Sequence, residues 1–217
     1  MIIAVEGMDG CGKSSVAKAL AKKLKYEYCA FPNKSFFEMD NAQYKKLCRK
    51  VYNLEDSYCK ALFFGFGNII ATKNIKDGVV IDRHLLSNYF WNGTNESEII
   101  FEMLLKLIGS PDLTIILYAG NQERMNRIYQ RNPNDLDLTD PEKMVLGYDK
   151  MISFASKYSL PFIIINTEKY DLNKTIKICE CLIKKVKLLN KEQVLCFCNK
   201  VNNRLKDFNL EPFSKYL

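Results

Sequence analysis

The sequence predicts an α/β fold of three layers, α/β/α, built on a five-stranded parallel sheet, and three observations predict it. Five short apolar runs, Ile2–Val5, Tyr28–Phe31, Val79–Ile81, Leu113–Tyr118 and Phe162–Ile165, are bounded by polar or turn residues. They are continuous rather than alternating, as expected of strands covered on both faces. Long amphipathic segments separate them, and right-handed crossovers then give a doubly wound sheet. The composition, 47% hydrophobic and 26% charged over 217 residues, is that of an ordinary globular chain and excludes disorder, collagen and coiled coil.

The elements follow in chain order. Ile2–Val5 runs directly into Gly7-Met8-Asp9-Gly10-Cys11-Gly12-Lys13-Ser14-Ser15, which satisfies G-x-x-x-x-G-K-[ST] between a strand and the helix Lys13–Leu24. The second strand ends at Phe31-Pro32, and helical patterns cover Gln43–Asn53 and Ser57–Lys76. The third strand closes on Asp82-Arg83-His84, before a helix over Glu96–Leu107. After Leu113–Tyr118, the helix Gln122–Gln130 leads into a polar segment, Asn132 to Asp140, which reads as a lid spanning about residues 131–141. Thr139-Asp140-Pro141-Glu142 restarts the helix Glu142–Lys157 with a capping pattern and Pro at its first position. The last strand precedes the helix Asn173–Leu188, so residues 1–188 form one domain and 189–217 an extension without an assigned role.

The glycine loop carries the chemistry. Glycines let the backbone wrap a phosphate with its N–H groups inward, and the helix that follows adds its positive N-terminal end. Gly7, Gly10, Cys11, Gly12, Lys13, Ser14 and Ser15 therefore form a candidate ATP site in a P-loop NTPase fold. Lys13 supplies a mobile charge for the β- and γ-phosphates, and the Ser14 hydroxyl is placed for Mg²⁺. The base-reading and switch motifs of GTPases and the signature of transporter ATPases are absent from the sequence, which leaves a small kinase. At the carboxyl end of the third strand, Asp82 can hold Mg²⁺ through water, and Arg83 can grip an acceptor phosphate with a geometry lysine does not match.

Net charge is +7, which suits anionic partners, but the positive residues are dispersed rather than clustered with aromatics, so nucleic acid is not an expected partner. No apolar stretch approaches the ~20 residues that cross a bilayer. A strand-like run directly after Met1 leaves no room for a signal peptide, and the expected location is cytoplasmic. The eight cysteines then read as reduced thiols. The pairs Cys179/Cys181 and Cys196/Cys198 offer four thiolates, yet residues two apart on a helix point in different directions, which disfavours a zinc site.

These residues resemble the thymidylate kinase family, whose members move a phosphoryl group from ATP to dTMP. The resemblance spans about residues 2–185 and rests on Glu6 to Ser15, on Asp82-Arg83-His84-Leu85-Leu86-Ser87 with Trp91-Asn92-Gly93, and on Pro111-Asp112-Leu113. It implies that Asp9 lies near the acceptor's sugar and attacking phosphate. Phe31-Pro32-Asn33-Lys34-Ser35 is similar to the family's phosphate-gripping loop, with Lys34 where arginine is usual. The resemblance further places Phe63 on the base, and Ser87, Asn88 and Trp91 around base and sugar; a core aromatic on a helix is the alternative for Trp91. The arginine that ordinarily follows the stacking Phe is missing, and Asn68 offers only an amide. Arg124, Arg127 and Arg131 share one helix face, and the resemblance gives Arg127 and Arg131 the role of stabilising the transferred phosphoryl group from the lid. It also implies a homodimer. A deoxynucleoside kinase is the nearest rival, but it needs a base such as Glu after the second strand, where this chain has Phe31-Pro32-Asn33. A nucleotide-binding regulator without turnover is a further rival, opposed by the intact Lys13, Asp82 and Arg83.

Overall fold

The computed structural model describes residues 1–31, 39–73, 78–135, 138 and 141–206. Its sheet holds β1 (Ile2–Gly7), β2 (Glu27–Ala30), β3 (Val79–Asp82), β4 (Leu113–Tyr118) and β5 (Phe162–Asn166), all parallel, in the order β2-β3-β1-β4-β5. Between them run α1 (Lys13–Leu24), α2 (Asn41–Tyr52), α3 (Ser57–Lys73), α4 (Leu85–Asn92), α5 (Glu98–Ile108), α6 (Asn121–Arg131), α7 (Pro141–Lys157), α8 (Leu172–Val186) and α9 (Lys191–Lys206). The chain leaves β1 toward β3 and β2 on one side and β4 on the other, so a crevice opens at the carboxyl end of β1.

Alternation along β1 assigns the two faces. Ile3 and Val5 pack with Val16, Leu20 and Cys179 under α1, α8 and α9. The opposite face carries Ile116 of β4 against Leu85, Phe101, Ile152 and Phe154 of α4, α5 and α7. Each fully buried Leu, Ile or Phe contributes ~1.5–3 kcal/mol, so the two layers bind the sheet from both sides. A third cluster of Phe31, Val51 and Phe64 closes the space between α2, α3 and the end of β2.

Two side-chain devices, one local and one long-range, satisfy backbone groups at the start of a helix and at the sheet edge. Asp40 accepts from the backbone N–H of Ala42 and Gln43 while the Gln43 side chain returns to Asp40 N, a capping box that starts α2. At the sheet edge, the buried Asn202 of α9 accepts from Ile164 N at 3.1 Å and donates to Phe162 O at 2.9 Å. One side-chain amide thus satisfies a donor and an acceptor that β5 would otherwise leave open. The extension past residue 188 contributes this helix, with Val194 and Cys198 inside the core under α1.

Cys179 and Cys198 are buried whereas Cys181 and Cys196 are exposed, and no group of three or more His, Cys, Asp or Glu able to hold a metal exists among the described residues. No described helix is long and apolar enough to cross a membrane.

Candidate functional site

The phosphate loop leaves β1 at Gly7 and enters α1 at Lys13, and its glycines adopt backbone that other residues avoid. Gly7, Gly10 and Gly12 have φ of +134°, +83° and +93°. At Gly10 space is limiting as well, since a Cβ would come within 2.6 Å of the Arg124 carbonyl oxygen. Inside the loop Lys13 is buried, with Nζ donating to Met8 O at 2.7 Å and lying 3.5 Å from Asp9 Oδ1. Asp9 is also paired with Arg83. Burial favours its neutral form, but Lys13 and Arg83 outweigh burial and hold the carboxyl well below the usual range, so Asp9 stays ionised.

Arg83 and Asp82 arrive from β3. Arg83 has φ +70°, a left-handed backbone for a residue with a Cβ, which turns the chain sharply from β3 into α4. Asp82 is buried; its Oδ2 accepts from the Tyr28 hydroxyl at 3.1 Å, while its Oδ1 has no hydrogen-bond partner among the described residues. Burial and the Asp82 carboxylate push the Tyr28 hydroxyl up to about 12, so it remains a proton donor. The buried Asp82 Oδ1, without a partner among the described residues, and the exposed Ser14 and Ser15 hydroxyls of the first turn of α1 are hard oxygens. These residues fit Mg²⁺.

Behind this layer Glu6, fully buried, reaches the start of α4: Oε1 accepts from the N–H of His84 at 2.8 Å, Leu86 at 3.0 Å and Ser87 at 3.2 Å, and Oε2 from the Ser87 hydroxyl. The Ser87 hydroxyl, expected at the substrate, is therefore committed to this buried carboxylate. His84 is buried beside Thr72, and burial pushes its imidazole down to about 4. Unfolded, the ring titrates near 6.5, so as pH falls from 6.5 toward 4 the unfolded chain takes up a proton that the fold refuses. Stability should fall by up to about 3 kcal/mol over that window, and His84→Gln should flatten this part of the profile. Urea midpoints at pH 7 and pH 4.5 for both proteins check it; an undiminished slope in the variant would refute the assignment.

The remaining expected residues divide into three groups. Asn88 donates to Asn68 Oδ1 at 3.1 Å and accepts from Asn92 at 2.9 Å, a buried amide chain behind the crevice. Phe31 is buried with Phe64, Phe63 packs edge-on against Phe64 at 5.0 Å, and Trp91 stays substantially exposed beside Phe90. Pro32, Lys34 and much of the lid, residues 136, 137, 139 and 140, lie outside the described residues.

The three arginines of α6 share a face but not a depth. Arg124 is fully buried, with Nε donating to Asp9 O at 2.8 Å. Arg127 pairs with Glu123 at 2.6 Å and donates to Thr167 Oγ1 and O at 3.1 and 3.0 Å. Arg131 is exposed and paired with Asp135 at 2.8 Å. Sequence spacing puts Arg124 beside the others on a lid surface; the structure puts it under the phosphate loop. In the sequence Glu6 stands only as the first residue of the loop motif and Tyr28 only within an apolar run, with no role for either, although a carboxylate within the otherwise apolar first strand is a visible signal for Glu6.

Residues 5–175 match a family model described as thymidylate kinase. The chain is similar to a probable thymidylate kinase of Archaeoglobus fulgidus, 31% identical over 140 residues that cover 60% of this chain and 70% of that protein. Among solved structures it resembles thymidylate kinase from Candida albicans, with TM-score 0.62 and 16% identity over 86% of this chain and 92% of that one. Deoxyadenosine kinase from M. mycoides gives TM-score 0.61 and 21% identity over 86% of this chain and 100% of that one. At such identities the two structures speak to a shared fold.

Proposed function

Since the chain belongs to the thymidylate kinase family, we propose that it transfers the γ-phosphoryl group of ATP to dTMP or a closely related deoxynucleoside monophosphate, giving ADP and the diphosphate. The observation that carries the reading is the convergence of Lys13 and Arg83 on Asp9 at the crevice where β1 ends. An acceptor phosphate is already anionic at neutral pH and needs no side-chain nucleophile. Its oxygen attacks the γ-phosphorus in line, the bond to the β-phosphate oxygen breaks, and the protein's task is alignment and charge neutralisation. Lys13 exchanges the Met8 carbonyl for donor phosphate oxygens, Arg83 grips the acceptor phosphate, and Asp9 keeps both cations in place and ionised. Arg127 and Arg131 supply further positive charge from the lid at about 131–141 of a kinase domain spanning 1–188. Ser14 and Asp82 would hold Mg²⁺, which would supply neutralisation of phosphate charge. Gly7, Gly10, Cys11, Gly12 and Ser15 complete the donor cradle; Phe31, Pro32, Lys34, Phe63 and Trp91 are assigned to the acceptor, and Ser87 and Asn88 support its site from the buried layer behind.

An ADP-release assay with Mg·ATP against dTMP, dUMP, dCMP, dGMP, UMP, CMP and thymidine tests this. Turnover should be fastest with dTMP; use of thymidine alone would move the enzyme to the deoxynucleoside kinases, and silence across the panel would remove the activity.

The protein works as a cytoplasmic homodimer in this reading. Eight free thiols suit a reducing compartment. Tyr58, Leu62 and Phe66 on α3 and Ile99, Met103 and Leu107 on α5 recur every four residues on two neighbouring helices and are all exposed, an apolar face that a second copy would cover. Light scattering should give twice 25.2 kDa, and Phe66→Glu should give a folded monomer. A wild-type monomer at micromolar concentration would sink the dimer.

A further inference from the structure

Side chains from outside the phosphate loop grip its outer side. Asp9 O accepts from Arg124 Nε at 2.8 Å, Gly10 O from Arg127 at 3.5 Å, and Cys11 O from the Thr167 hydroxyl at 3.1 Å, the last sharing its proton with Tyr118 O at 3.1 Å. Lys13 closes the series at Met8 O. Four successive carbonyls are therefore held by side chains, and the best placed of the external bonds is the one from Arg124.

In a trans peptide the C=O of one residue and the N–H of the next point in opposite directions. Holding the Asp9 and Cys11 carbonyls against α6 and the end of β5 therefore turns the N–H groups of Gly10 and Gly12 away from them, into the loop's concave side. Those two residues also carry the positive φ that such a cradle of N–H groups requires. Arg124 is itself held. Its NH1 donates to Asn121 Oδ1 at 3.1 Å, its guanidinium lies 5.7 Å from the Tyr148 ring centroid, and its backbone touches the loop at Gly10. A guanidinium with 0% exposure, fixed from three directions, is a strut whose position cannot drift with solvent.

We infer that Arg124 is a positioning residue, acting through the Asp9 carbonyl with Thr167 as its second brace, that presets the loop amides for the phosphates of the nucleotide donor. This rests on the kinase reading, because a phosphate-bearing donor is what the preset loop would serve. Without the brace, the loop must be ordered at the moment of binding, so donor affinity falls while the acceptor's own contacts stay intact.

The test measures binding of a fluorescent ADP with no acceptor and no turnover, alongside KM for ATP and for dTMP and amide exchange over residues 9–13. Arg124→Met should weaken ADP about tenfold and raise the ATP KM in step, leave the dTMP KM within twofold, and speed exchange at Gly10 and Gly12. Thr167→Val, a milder change at the same loop, should weaken ADP about threefold and serves if Arg124→Met does not fold. Arg124→Met that is folded yet binds ADP within twofold of wild type overturns the inference, as does a Thr167→Val protein with unchanged ADP affinity when the first variant fails. Equal losses in ATP and dTMP KM also overturn it, because they indicate a general loosening. Wild-type protein that binds no ADP would instead overturn the kinase reading.

Discussion

Replacing Lys13 with alanine is expected to lower kcat by roughly 10²–10³-fold, the usual cost of deleting one preorganised group that meets charge developing in a transition state. Lys13 is poised for that duty. Its side chain is 4% exposed, and its ammonium rests on the Met8 carbonyl and near Asp9. Moving it onto phosphate oxygens exchanges a carbonyl and a long contact with a carboxylate already shared with Arg83 for close contacts with full negative charges, and a buried ammonium makes such contacts more strongly than one at a surface. The fold does not depend on the charge, because Arg83 continues to pair with Asp9. Thermal unfolding of the variant should therefore stay close to wild type while steady-state turnover at saturating ATP and dTMP collapses. Residual activity above a tenth of wild type would mean that another cation carries the phosphoryl group.

Much of this site is legible from sequence because its decisive parts are local. The loop from Gly7 to Ser14 is a contiguous motif whose spacing dictates its backbone, and β4 coincides with its apolar run, Leu113–Tyr118. The short α4 is hidden because Leu85-Leu86-Ser87-Asn88-Tyr89-Phe90-Trp91-Asn92 carries little helical polarity pattern: Ser87, Asn88 and Asn92 are buried with Leu85 and Leu86, while Trp91 is exposed. Helical spacing ranks Arg124, Arg127 and Arg131 as equals, yet depth depends on what lies beneath the helix, and only the packing of α6 against the loop separates the strut from the solvent-facing cation. Asn202 is illegible for a similar reason, since its partners lie on β5 about forty residues earlier. The amide chain Asn68–Asn88–Asn92 joins two helices, and neither residue type nor spacing announces it.

Glu6 shows how such a long-range partnership governs both stability and the site, and its replacement by leucine is expected to destabilise the fold by about 3–5 kcal/mol. Its carboxylate meets the N–H groups of His84, Leu86 and Ser87 at the N-terminus of α4, where the helix leaves donors unpaired and its dipole favours negative charge. The helix has no side-chain cap of its own: His84 stands at the cap position without a capping bond, so β1 supplies the cap from 78 residues away. Leucine is similar in size and would fill the space, but it strands three buried N–H donors and the Ser87 hydroxyl, each worth ~1–3 kcal/mol when left unmet. Glutamine keeps an acceptor for the N–H groups, and the Ser87 hydroxyl can turn to accept from the new amide, so Glu6→Gln should cost only about 1 kcal/mol. Arg83 lies immediately before His84 in that turn, so the leucine variant should also lose grip on the acceptor, raising the dTMP KM more than the ATP KM. Urea unfolding of both variants at pH 7, with KM measured for each nucleotide, decides the matter. Equal stability of the leucine and glutamine variants would show that α4 does not need this cap.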